Sequence, residues 1–224
     1  MPTIALPAAS VILAAMDSAR SLPLAEISTI RGGLPSADPL PAGAGAPPHK
    51  TALRTLQSRD LASDGSVVWS SLPLSQAGRN SERFLIYEGD VLLPLRSIRP
   101  RALVAREVPP NVIAVGQWAL ITPDAIIAEP DYLAWFLNHP ATLARLGKVM
   151  KGGTLPFLPL AAIRAFEIAI PPLEVQHRIT RVDALHVRLA HLERDLADAR
   201  TSLVNAATMS VLHRSTAPNS ATHF

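Results

Sequence analysis

Residues 173–213 read LEVQHRITRVDALHVRLAHLERDLADARTSLVNAATMSVLH, and this stretch decides the architecture of the chain. Apolar side chains recur along it in alternating steps of three and four residues, which places them on one face of a helix with a heptad repeat. The pattern predicts one long coiled-coil helix of roughly 60 Å. The residues expected to form its helix–helix contact, called here the apolar row, are Val182, Leu185, Leu189, Leu192, Leu196 and Leu203.

A single helix of this length cannot bury an apolar row by itself, because a lone amphipathic helix exposes that face to water. The sequence offers no second long helical pattern. We therefore expect the partner helix to come from a second copy of the chain or from another protein. The alternative, in which the helix folds back over the rest of the chain, stays open on the sequence alone.

In the rest of the 224-residue chain, the sequence pattern predicts an α+β domain. Its composition, 48% hydrophobic and without cysteine, excludes an intrinsically disordered chain, a disulfide scaffold and cysteine-based metal sites. We expect an N-terminal extension (1–20), a domain with a mixed sheet and few short helices (21–170), the long helix (171–213) and a disordered tail (214–224). The longest uncharged runs are too short for a membrane helix, which needs about 20 apolar residues, so we expect a cytoplasmic protein.

Short apolar runs between glycine and proline breaks mark the strands of this domain. The strand candidates are 67–69, 84–87, 91–93, 103–105, 112–115 and 118–122. Pro130 at a first helical position predicts a helix over 130–137, and a second is expected over 141–150, ended by Gly152 and Gly153. Such a mixture indicates the fold class but not the order of the strands.

The junction between domain and helix carries a recognisable motif. Residues 152–179 read GGTLPFLPLAAIRAFEIAIPPLEVQHRI, which resembles the specificity subunits of type I restriction–modification systems. In that family the recognition domain ends in an Ile-Pro-Leu-Pro-Pro-Leu-x-Glu-Gln-x-x-Ile junction that opens a spacer helix. Glu174 lies one place early relative to that pattern. The matching residues are Ile170, Pro171, Pro172, Leu173, Gln176 and Ile179.

Three earlier segments resemble family landmarks in the same order. They are 24–33 (an opening strand and glycine turn), 59–61 followed by 65–67 (an Asp-Leu, Gly, strand segment) and 88–93 (a Gly-Asp-Val-Leu element). The resemblance implies a non-catalytic subunit that recognises double-stranded DNA. A standard subunit has two recognition domains and two spacer helices, so the single set here resembles a half-length form that pairs through antiparallel helices.

The resemblance also implies partners and places the chemistry outside this chain. A methyltransferase (modification) subunit would be recruited, with its S-adenosylmethionine, and a restriction subunit is a further partner that the sequence leaves open. This chain itself would bind no cofactor. Two alternatives stay open: a protein-only coiled-coil adaptor, and the recognition fragment of a fused restriction–methylation enzyme.

Positive charge is concentrated where that resemblance places DNA recognition. Residues 31–106 hold ten basic and six acidic side chains, whereas the whole chain has a net charge of only +3. Arginine's planar fork pairs with guanine or grips a phosphate. A solvated edge strand that resists aggregation is the alternative interpretation. The basic residues expected to contact DNA here are Lys50, Arg79, Arg96, Arg99 and Arg101.

A second candidate DNA contact is the segment of Lys148, Lys151 and Thr154 around the two glycines. Exposed backbone N–H groups and a threonine hydroxyl can hold a phosphate oxygen. The alternative is a helix C-terminus whose lysines complement the helix dipole.

No catalytic or metal site is indicated, so we expect that the chain is not an enzyme. His177, His186 and His191 are spaced too irregularly to place two metal ligands one helical turn apart, and we interpret them as solvated helix positions. The carboxylate pairs Asp60 with Asp64 and Glu88 with Asp90 are interpreted as turn and capping groups.

Overall fold

The computed structural model describes residues 20–35, 52–62, 65–76, 81–97 and 100–216, with side chains up to residue 210. The chain divides into two compact units, Met1–Thr180 and Arg181–Phe224. No helix within the described ranges is long and apolar enough to cross a membrane. The fold class is α+β, as the sequence predicts.

Nine short strands lie within the described part of the first unit. They are β1 (Arg20–Pro23), β2 (Ser28–Gly32), β3 (Ala52–Leu56), β4 (Leu74–Gln76), β5 (Val91–Pro94), β6 (Leu103–Val104), β7 (Val112–Ala114), β8 (Trp118–Pro123) and β9 (Glu167–Ile170). They form a four-stranded antiparallel sheet in the order β2-β8-β5-β6, a three-stranded sheet β4-β3-β7 and the antiparallel pair β1-β9. Strands β3 and β7 are parallel and β3 and β4 antiparallel, so the three-stranded sheet is mixed.

The four-stranded sheet is buried on both faces, which explains why β5 and β8 read as continuous apolar runs. Val91 and Leu93 of β5 pack into the larger apolar cluster, whereas Leu92 between them packs into a second cluster with Trp118 and Leu120. Successive side chains of a strand point to opposite faces of the sheet, so β5 contributes side chains to both apolar clusters.

The helices of the first unit are α1 (Pro130–Asn138), α2 (Pro140–Val149) and α3 (Leu160–Arg164). Proline occupies the start of both α1 and α2, where its missing N–H costs no hydrogen bond. The buried residues Tyr132, Leu133 and Leu137 of α1 cover the larger cluster. The sequence predictions for α1 and α2 are confirmed, and the sequence missed α3.

The strand predictions at 91–93, 103–105, 112–115 and 118–122 are confirmed, but those at 67–69 and 84–87 are wrong. Trp69 opens a 3-10 helix, Trp69–Ser71, and its indole N–H donates to the Arg106 carbonyl. The second run begins at the last residue of a 3-10 helix, Ser81–Phe84, and continues with an isolated bridge at Leu85. The Tyr87 N–H is taken by the Asp90 carboxylate at 3.0 Å, so it cannot join a strand ladder.

Asp90 is the buried turn group that the sequence predicts. Its carboxylate accepts hydrogen bonds from the Thr122 hydroxyl at 2.5 Å and from the Arg31 guanidinium at 2.8 Å. Arg31 also donates to the Leu85 carbonyl at 2.8 Å and lies over the ring of Tyr87. A buried carboxylate is costly unless it is paired and hydrogen-bonded, and these partners satisfy the charge of Asp90. The same hydrogen bonds connect β2 and β8 to the turn before β5.

The long helix, α4, runs over Leu173–Thr216. The sequence prediction ended it at His213, and the remaining residues from 217 onward lie outside the described part. Its first turns belong to the first unit, where Ile179 is buried in the larger apolar cluster and Val175 packs against it.

Candidate nucleic-acid interface

A cleft of about 830 Å³ lies on the first unit, and three arginines line it. They are Arg59, Arg96 and Arg101, which are all exposed. Among the residues that the structure describes, those lining the cleft include no carboxylate. None of the three arginines forms an ion pair with any residue in the described ranges. We call this feature the arginine cleft; its three guanidinium groups are exposed and have no ion-pair partner within the described ranges.

Hydrogen bonds fix the backbone beside two of the three arginines. Arg59 lies in the 3-10 helix Ser58–Asp60, where the Asp60 carboxylate accepts from the Gln57 N–H at 2.7 Å. Asp60 therefore has the capping role that the sequence predicts. Arg101 lies next to Ala102, whose N–H and carbonyl both bond the Asn138 side chain at 2.8 Å.

Gly65 helps to hold the Arg101 side chain. Its φ is +86°, and a Cβ at this position would lie 3.2 Å from Cδ of Arg101. The glycine is thus required twice, by its backbone conformation and by the close approach of the arginine.

The Lys-Gly-Gly-Thr segment meets the arginine cleft through a short β-ribbon. Lys151 and Phe157 exchange two backbone hydrogen bonds, of 2.8 and 2.7 Å, and close a turn over 152–156. On its other side Phe157 forms an antiparallel bridge with Arg96. Leu155 of the turn lines the cleft. The two candidate DNA contacts that the sequence separates therefore lie side by side.

The glycines do not end α2, so that interpretation is wrong. The helix ends at Val149 with Met150 as its C-cap, and the glycines lie in the ribbon turn. Lys148 occupies the last turn of α2, where the alternative role of complementing the helix dipole remains. Thr154 is exposed at the turn.

Three predicted contacts, Lys50, Arg79 and Arg99, lie outside the described residues. Arg106, the last arginine of the basic segment, forms an ion pair in which its Nη2 donates to both carboxylate oxygens of Asp131, at 2.7 and 2.5 Å. The hydrogen bond to Asp131 raises the pKa of Arg106 above its ordinary value. Its charge is therefore matched within the domain, whereas the arginines of the cleft have no ion-pair partner among the residues that the structure describes.

Sequence reasoning missed Arg59, Asn138 and Phe157. Arg59 contributes to the charge excess of 31–106 and precedes a segment that resembles the family, so a signal existed. Asn138 acts on a residue 36 positions away, and Phe157 reaches Arg96 only through the ribbon, so no local pattern could indicate them.

Gln176 explains the junction motif. Its fully buried side chain accepts from the Glu129 N–H at 2.9 Å and donates to the carbonyls of Ile127 and Pro171 at 2.9 and 2.8 Å. His177, interpreted from the sequence as solvated, pairs with the Glu129 carboxylate. The motif thus fixes the first turns of α4 to the domain.

Every member of the apolar row is exposed. The six side chains from Val182 to Leu203 have exposed fractions between 52% and 71%. His186 and His191 are exposed on the same helix, as predicted. Within the described part of the chain, no group of three or more His, Cys, Asp or Glu residues is arranged to hold a metal ion.

The fold resembles solved S-subunit structures. The HsdS subunit from Thermoanaerobacter tengcongensis matches with a TM-score of 0.51 and 19% identity, over 84% of this chain and 45% of that chain. A chain from a type I R-M system, solved to explain complex assembly and conformational transition, matches with a TM-score of 0.50 and 19% identity, over 89% of this chain and 51% of that chain. No protein-family model and no curated protein matches this sequence. The likeness establishes the fold, and this chain spans about half of each matched chain.

Proposed function

We propose that this chain is a non-catalytic DNA sequence-recognition subunit of a type I restriction–modification system. The observation that carries the proposal is the arginine cleft, whose three cations have no ion-pair partner in the described part of the chain. Exposed arginines suit the phosphate backbone and the guanine edge. The fold likeness to S subunits supports the same role.

In this proposal the domain over 21–170 binds double-stranded DNA. Arg96 and Arg101 of the cleft contact phosphates or guanines, joined by Arg59. Lys151 and Thr154 on the neighbouring ribbon contact the adjacent backbone, where a Cβ added at Gly153 would meet no atom within 4 Å. Lys50, Arg79, Arg99 and Lys148 remain predicted contacts.

The helical segment over 171–213 dimerises the subunit through the apolar row. A second copy supplies the partner helix, because two such rows cover each other by knobs-into-holes packing. Two copies would present two recognition domains to a bipartite site. A methyltransferase subunit, which brings S-adenosylmethionine, and a restriction subunit are the proposed further partners, and they would carry the catalysis.

The dimer is tested by introducing charges into the row. Changing Leu189, Leu192 and Leu196 to aspartate together should convert a dimer into a monomer in sedimentation velocity, since each of these side chains is over half exposed without a partner. The matched control changes Val187 and Val204 to aspartate, which are exposed on the same helix but outside the row. An unchanged mass of the triple variant, or dissociation of the control as well, contradicts the role of the row.

DNA recognition is tested with the full chain co-expressed with a methyltransferase subunit, by titrating duplex DNA at several salt concentrations and mapping methylated sites. Changing Arg59, Arg96 and Arg101 to alanine should reduce the salt slope of log K by about one per arginine. Arg106→Ala is the control, because that guanidinium is already paired with Asp131. Equal, sequence-independent binding by wild type and triple variant refutes the proposal and favours the protein-only adaptor.

A further inference from the structure

The β-ribbon beside the arginine cleft places an aromatic side chain between two cations. Phe157 is paired with Lys151 on one side through two backbone hydrogen bonds and with Arg96 on the other through an antiparallel bridge. The second pairing is held by the Leu158 N–H, which donates to the Leu95 carbonyl at 2.7 Å. Directly paired residues lie on one face of a sheet, so the three side chains form a single basic–aromatic–basic strip.

Two apolar side chains of this ribbon remain open to water. Phe157 is 39% exposed and Leu155, in the turn, is 44% exposed. Part of the Phe157 ring covers the turn, since its Cδ1 would lie 3.8 Å from a Cβ at Gly152. The ring therefore packs on the turn in part, while 39% of Phe157 stays open to a ligand.

The dimensions of the strip suit the major groove of DNA. Paired Cα atoms in antiparallel strands are about 5 Å apart, so Arg96 and Lys151 are separated by about 10 Å. The major groove is about 12 Å wide and admits a β-ribbon. The two cations can then reach phosphates on either side while the apolar residues between them face the base edges.

We propose that Phe157 and Leu155 make an apolar contact with the C5-methyl group of a thymine, and so fix thymine at one position of each half-site. The inference rests on the proposed DNA-recognition function. In this arrangement Arg96 and Lys151 contact phosphates and position the protein without reading bases, so the apolar side chains between them carry the sequence information. The thymine methyl is the apolar group that the major groove presents.

The test uses duplexes that the full-length protein recovers from a randomised pool. Each thymine of the recovered duplex is replaced in turn by deoxyuridine, which removes only the methyl group, and binding is titrated at one fixed salt concentration. Wild type should bind about fourfold more weakly to one uracil duplex, the fold-change that corresponds to about 0.8 kcal/mol for one buried carbon group. Phe157→Ala should bind the thymine and uracil duplexes equally.

Ile126→Ala is the control variant, because Ile126 is 83% exposed and lies outside the ribbon. It should keep the difference between thymine and uracil. Leu155→Ala provides a second variant if Phe157→Ala fails to fold, and the wild-type scan requires neither. Three results overturn the inference and leave the DNA-recognition function standing. They are a wild-type scan in which no uracil substitution weakens binding, a recovered target without thymine, and a thymine preference that survives both ribbon variants. If the wild type recovers no sequence from the pool, the proposed function fails and this inference fails with it.

Discussion

The buried amide of Gln176 makes the sharpest prediction for stability. Gln176→Ala removes one acceptor and two donors, leaving the Glu129 N–H and the carbonyls of Ile127 and Pro171 without partners. Each lost bond at a buried site costs about 1 kcal/mol, so the free energy of unfolding should fall by about 3 kcal/mol. For a unit of this size the melting temperature should fall by roughly 6–12 °C.

The assay is urea unfolding at constant protein concentration, followed by tryptophan fluorescence. All three tryptophans, at 69, 118 and 135, lie in the first unit, so the signal reports the domain that Gln176 joins to α4. Glu174→Ala is the matched control two residues away, because its side chain is 76% exposed and its ion pair with Arg178 is worth about 0.5 kcal/mol. If both variants unfold at the same urea concentration, Gln176 does not hold the base of the helix.

Three further predictions concern the turn, the core and a buried ion pair. Gly152→Ala should lower the free energy of unfolding by about 1–2 kcal/mol, because Gly152 has a φ of +97°. Gly153→Ala is the control and should change the free energy of unfolding little, because an added Cβ there meets nothing within 4 Å. Equal shifts in melting temperature for the two variants would contradict this prediction. Burial raises the pKa of the Tyr132 phenol, so the stability that this group contributes is present below about pH 10 and is lost as the pH rises above 10. The free energy of unfolding of Tyr132→Phe should therefore fall less above pH 10 than that of the wild type. Parallel curves of unfolding free energy against pH for the two proteins would refute the role of Tyr132. Asp90→Asn should lower the free energy of unfolding in urea by about 3 kcal/mol, because it breaks a buried ion pair with Arg31. Asp131→Asn breaks an exposed ion pair with Arg106 and should lower the free energy of unfolding by less than about 1 kcal/mol. The reverse order would show that burial does not govern the contribution of these pairs.

The clearest successes of sequence reasoning are elements whose signal is local. The heptad spacing predicted α4 to within three residues at its C-terminus. Pro130 predicted the start of α1, and Asp90 was interpreted correctly as a turn group. In each case the residues that carry the pattern also make the local structure, so no distant contact is needed to interpret them.

The wrong strand predictions concern segments whose apolar composition indicates burial and not strand pairing. The runs at 67–69 and 84–87 contain apolar side chains that pack against the cores, yet their backbones form no strand. The Val68 carbonyl accepts within a 3-10 turn, and Leu85 forms only an isolated bridge before the Tyr87 N–H bonds the Asp90 carboxylate. The strand β3 went unrecognised, because Arg54 and Thr55 interrupt its apolar residues. Its parallel pairing with β7 joins segments more than 50 residues apart.

What the sequence by itself determined is therefore the fold class, the long helix with its apolar row, and the excess of arginine in 31–106. Only the tertiary structure decided which of those arginines come together. The arginine cleft is assembled from the segment around Arg59, Arg96 two residues after β5, and Arg101 beside Ala102, which Asn138 holds. Periodicity and charge are properties of a local stretch, whereas a cleft is set by long-range backbone pairing and side-chain hydrogen bonds that no local pattern encodes.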